Sequence, residues 1–137
     1  MATDWIMMLP TIVYSRIVAE FSTDIKAKYK MTNANFSTVS SSDTPSIFPF
    51  VYVNGLPATE VGQDLEATSI NGGLFTFQVD VYDNASQQTA RAVMGEIVRL
   101  MKKMKFNIVA MPSFESVDKV NRCTARFRRE IDEYDVI

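Results

Sequence analysis

The chain has 137 residues, 47% apolar and 22% charged, which is the balance of one soluble globular domain. Its formal net charge of −2 gives no bulk electrostatic case for nucleic acid. It has no histidine and a single cysteine, Cys123, so histidine-based catalysis, an intramolecular disulfide and a thiolate zinc site are all excluded.

Residues 1–9 read as an N-terminal arm. Asp4 stands where a signal peptide carries base, and the apolar run Trp5–Leu9 is too short for a signal core. No stretch approaches the ~20 apolar residues that cross a bilayer. The expectation is a protein that folds in a reducing cytosol. Trp5 and Ile6 have two readings, a flap on the domain's own core or an arm docked on a neighbouring subunit.

From Pro10 to Lys30 the apolar residues Val13, Ile17, Phe21 and Ile25 recur once per turn, which predicts one helix with Pro10 in its first turn. Residues 32–46 are rich in Ser, Thr and Asn; a short strand is expected at Phe36–Ser40 and a turn at Ser42–Pro45. Ile47–Val53 reads as a strand, with Pro49 demoting it to an edge or marking its start.

Residues 54–73 show no period and read as a long connection with a short strand near Ala67–Ile70. Unstructured connections beyond ~12–15 residues are uncommon in compact domains. One reading is a loose hairpin tip. The other is a projection that touches a neighbour through Leu56, Glu60, Asp64, Leu65 and Glu66.

Leu74–Tyr82 alternates strictly, with Phe75, Phe77, Val79 and Val81 inward and Thr76, Gln78, Asp80 and Tyr82 outward. Asp83 and Asn84 offer caps to a second helix with the stripe Ala90, Val93, Met94, Ile97, Val98, Met101 and Met104. The bases at its end, Arg99, Lys102, Lys103 and Lys105, read either as a phosphate patch or as complements to the helix dipole.

Two strands follow. Asn107–Met111 is short and stopped by Pro112. Val120–Glu130 alternates, with Cys123, Ala125 and Phe127 inward and Arg122, Thr124, Arg126 and Arg128 outward. Residues 131–137 read as a flexible acidic tail. The arginine row is either hydrated surface or an interface, where arginine and tyrosine are enriched; Asp80, Glu115 and Glu130 are its candidate partners within the subunit.

The expected architecture is a single α+β domain over 1–137. It has one antiparallel or mixed sheet with two helices on one face, in the order α-β-β-β-α-β-β. Phe21, Ile25, Phe77, Val79, Val93, Ile97, Met101 and Phe127 should share the core. No phosphate loop, nucleophile elbow or metal motif is present, so neither a catalytic residue nor a cofactor is expected.

This order of elements resembles that of the tail terminator, or tail completion, proteins of long-tailed bacteriophages. Local echoes are Thr11–Arg16, Asp43–Pro45 leading into Phe48–Val53, the strand Phe75–Tyr82 running into a helix, and Cys123–Arg129. The resemblance implies a non-enzymatic virion protein, assembled in the host cytoplasm as a ring, usually of six copies. The ring stops tail-tube polymerisation and receives the head-side connector. Its partners would be itself, the tube protein and the connector, with no membrane and no sequence-specific nucleic acid, although DNA could pass through the lumen. The candidate interface residues are then Trp5, Leu56, Glu60, Asp64, Leu65, Glu66, Arg122, Arg126 and Arg128. The alternatives are another neck protein (head-completion or connector), or a small cytosolic α/β enzyme or ligand-binding domain.

Overall fold

Two hydrophobic periods run through the chain, one of 3.6 residues and one of 2, and each builds one layer. The computed structural model describes residues 4–38, 48–61, 72–117 and 120–132. Its helices are α1 (Asp4–Glu20), α2 (Thr23–Tyr29) and α3 (Gln87–Lys103), with a 3₁₀ turn at Asn33–Asn35. The strands are β1 (Phe36–Ser37), β2 (Phe50–Gly55), β3 (Thr59–Val61), β4 (Gly72–Asp83), β5 (Asn107–Val117) and β6 (Val120–Asp132).

The strands form one mixed sheet in the order β1-β2-β4-β6-β5, with β3 also on β4. Among the described residues, only the β1–β2 pair is parallel. The class is therefore α+β with a mostly antiparallel sheet, as expected, but the described helices are three and their order differs.

The single helix expected over 10–30 is two helices. Ser22 breaks it: its hydroxyl accepts from Ile25 N, and its own N–H leaves the helical ladder to donate to Glu96 Oε2 at 2.8 Å. Ile25, expected in the core, is consequently only half-buried against it. Pro10 is not in a first turn either. The helix already runs from Asp4, so most of the expected arm is helical, and Leu9 is buried. Pro10 lies beside Gly55 at the end of β2.

Of the expected long connection over 54–73, the described residues 54–61 and 72–73 are mostly sheet. β2 extends through Asn54 and Gly55, Leu56 N donates to Thr76 O, and β3 pairs Thr59–Val61 with Leu74–Gly72. The short strand expected at 67–70 lies outside the described residues. β5 is also longer than expected. Pro112 does not stop it because β5 is an edge strand, and Pro112 falls where the register shifts between Ala110 and Ser113. β6 likewise extends to Asp132 and buries Ile131, so the first two residues of the expected tail are strand, and 133–137 lie outside the described residues.

The core lies between the helices and the odd-numbered side chains of β4 and β6. Val13, Ile17, Phe21, Val93, Ile97 and Met101 meet Phe77, Val79, Ala125 and Phe127 there, all buried. Phe77 and Phe106 pack edge to face, 5.6 Å between centroids. β6 lies between β4 and β5 and joins the sheet's two halves.

Candidate functional site

The opposite face of the sheet carries the arginine row. Strand alternation puts Thr76, Gln78, Asp80 and Tyr82 of β4 on it, and Arg122, Thr124, Arg126 and Arg128 of β6. Register then pairs them across the ladder: Tyr82 with Arg122, Asp80 with Thr124, Gln78 with Arg126, and Thr76 with Arg128. β2 contributes Tyr52 opposite Asp80, and β5 contributes Glu115 opposite Arg122.

Asp80 is the centre of this face. It was expected on an outward face, wet or at an interface, yet it is 2% exposed within the subunit. Its Oδ1 accepts from Thr124 Oγ1 at 2.6 Å and from Arg122 at 3.3 Å. A carboxylate so enclosed needs a cation and donors to offset its lost hydration. The side chains of β6 supply both, and in doing so they cover it.

Arg122 sits between Asp80 and Glu115 and over the Tyr82 ring, 5.9 Å from its centroid. The acids beside it hold its guanidinium above the usual range against the opposing effect of burial. Burial, with Asp80 next to it, pushes the Tyr82 phenol up. The side-chain Nε of Arg122 is buried without a hydrogen-bond partner. Arg122 is thus occupied internally.

Arg126 and Arg128 are not. Both are exposed; Arg126 Nε donates to the uncharged Gln78 Oε1 at 2.9 Å. Among the described residues, no carboxylate pairs with either. Alternation in the sequence found the row; it could not find that the row splits into one internal and two outward-facing members, because that depends on cross-strand register.

The other candidates are dispersed. Leu56 is half-buried beside Thr76, at the junction of β2 and β3. Glu60 lies in β3 opposite Gly73. Trp5 is in the first turns of α1. Asp64, Leu65 and Glu66 lie outside the described residues.

The basic end of α3 resolves toward structure. Lys103 pairs with Glu20, and Arg99 grips Glu96 with two bonds of 2.7 Å. Glu96, which sequence reading missed, is buried and ties α3 to Ser22. The Arg99 guanidinium and the Ser22 N–H hold its carboxyl below the usual range against burial. Its only sequence signal was its place on the flank of an apolar stripe.

Among the described residues no three potential ligands are grouped to hold a metal ion, and no helix is long and apolar enough to cross a membrane. Cys123 is buried, and burial pushes its thiol up to about 11. No protein-family model matches the chain, and comparison with curated proteins finds no match.

Proposed function

We propose that this chain is a structural subunit of a long-tailed phage virion, one that assembles as a ring on the head-proximal end of the tail tube, ends tube growth and offers a surface to the head-side connector. The observation that carries the reading is the sheet face opposite the helices. It presents Arg126 and Arg128 outward with no acid of the described chain to neutralise them, beside a buried Asp80 that Arg122 and Thr124 hold by hydrogen bonds. A prearranged arginine row is suited to a protein partner, since a guanidinium can bind a carboxylate at two points. The resemblance carried by the local stretches Thr11–Arg16, Phe75–Tyr82 and Cys123–Arg129 supports the same reading.

The test uses the whole protein. Purified chain is expected to form rings visible by electron microscopy, six-fold in symmetry, and to halt elongation when added to polymerising tail tubes. A chain that stays monomeric at every concentration and leaves tube length unchanged would remove the proposal.

A further inference from the structure

Charge is not spread evenly along the outward face of β6. From its C-terminal end the outward positions are Glu130, Arg128, Arg126, Thr124 and Arg122. Arg122 is held between Asp80 and Glu115. Glu130 is exposed, and none of the described ion pairs joins it to Arg128. Arg126 and Arg128 therefore make a short cationic step with acid beyond each end, Glu130 on one side and Glu115 with Asp80 on the other.

The neighbours across the ladder are uncharged. Arg128 stands between Thr76 and Asn107, and Arg126 between Gln78 and Ala110. Gln78 accepts from Arg126 Nε at 2.9 Å. That bond orients the guanidinium and leaves the two terminal nitrogens of its fork for another group. On the adjoining edge strand, Val109 and Met111 flank Ala110 in sequence, and both are exposed, Met111 by 71%. The step thus borders apolar surface.

A nucleic-acid backbone fits this arrangement poorly. Its charge repeats along its whole length, so it would run from the two arginines onto Glu130 or Glu115, and an apolar border offers it nothing. Carboxylates at alternate positions of an extended chain stand ~7 Å apart, the spacing of Arg126 and Arg128 on their own strand.

We infer that the step binds a short, extended acidic segment of a partner protein, which sets two carboxylates at alternate positions over Arg126 and Arg128 and an apolar side chain against Met111. The inference rests on the reading of the arginine face given above and names what the partner presents there. The flanking acids limit the length of the segment, because a third carboxylate in either direction meets like charge, which selects against longer acidic runs.

The experiment titrates the full chain with synthetic peptides and follows the arginine Nε–H signals by NMR, which reads millimolar binding. One peptide has Glu-Thr-Glu-Leu at its centre, a second has the same composition with the glutamates adjacent, and a third has six consecutive glutamates; oligothymidylate is the fourth probe. The alternating peptide is expected to shift the signals of Arg126 and Arg128, leave that of Arg122 in place, and bind more tightly than the other three. Arg126→Gln, Arg128→Gln and Met111→Ser should each weaken it about threefold, the scale of one exposed contact, with an unchanged melting curve. Tighter binding of hexaglutamate or oligothymidylate would mark a general polyanion surface and overturn the inference. So would the absence of any shift. If the chain caps tail tubes while no peptide moves the two signals, this inference fails and the virion reading stands. If the alternating peptide binds as expected while the chain neither forms rings nor alters tube length, the virion reading fails and the acidic-segment site stands.

Discussion

Asp80 and Arg126 lie on one sheet face, yet the structure gives them different energetic weight. Asp80 is enclosed and accepts from three side chains, those of Thr124, Arg122 and Gln78, so Asp80→Ala strands the Thr124 hydroxyl and leaves Arg122 without its nearer acid. Stranded buried polar groups cost about 1–3 kcal/mol, and urea unfolding should read a loss in that range. Arg126 is exposed and bonded to an amide, so Arg126→Ala should change stability by no more than about 1 kcal/mol. Cys123 gives a second residue-scale outcome. Its thiol is buried with a pKa of about 11, so iodoacetamide at neutral pH should leave it unmodified in the folded chain and label it once urea unfolds the protein. Ready labelling without denaturant would contradict the packing of β6 against the helices.

At the scale of elements, the contact between α3 and the α1–α2 break carries a pH dependence. The folded-state pKa of Glu96 is lowered, so its stabilising contribution is complete above the unfolded value of roughly 4.3 and is lost as pH falls through the lower folded value. Glu96→Gln should therefore lower stability near neutrality and flatten the acid limb of a melting-temperature profile relative to the unmodified chain. An unchanged slope would show that Glu96 is not ionised differently on folding. In the core, Phe77→Ala should cost about 3–5 kcal/mol, since it removes a buried ring and its edge-to-face partner contact with Phe106. What the sequence disclosed here was periodicity: the inward sets of β4 and β6 and the stripe of α3 are legible because burial of one face writes a repeat into the chain. The helix break at Ser22 was not legible, because its cause is a carboxylate 74 residues away. Nor was the length of β5, where an edge position tolerates the proline that would end an interior strand.

For the whole molecule, the proposed function makes the outward face with Arg126 and Arg128 the one to be tested. Arg126→Glu should leave the melting curve and ring formation intact while preventing capping of tail tubes, and a reversed acid on the partner should restore capping. Normal capping across a range of salt would mark the row as ordinary hydrated surface. Of the candidate site, the row itself was legible from alternation. Its division into an internal Arg122 and two outward neighbours required the pairing of Tyr82 with Arg122 and of Gln78 with Arg126 across the β4–β6 ladder, and a linear pattern does not contain such pairings.

The twelve paired positions from Gly72–Asp132 to Asp83–Asn121 place β6, which follows β5 in the chain, between β4 and β5. β4 and β5 therefore have no common partner until residue 132 has left the ribosome. A nascent chain stopped at about residue 119 holds all three described helices, β4 and β5, yet lacks the strand that joins β4 to β5. Synthesis thus acts as a timer: a chain that stops before β6 cannot close the sheet, because the strand that joins β4 to β5 is made after both.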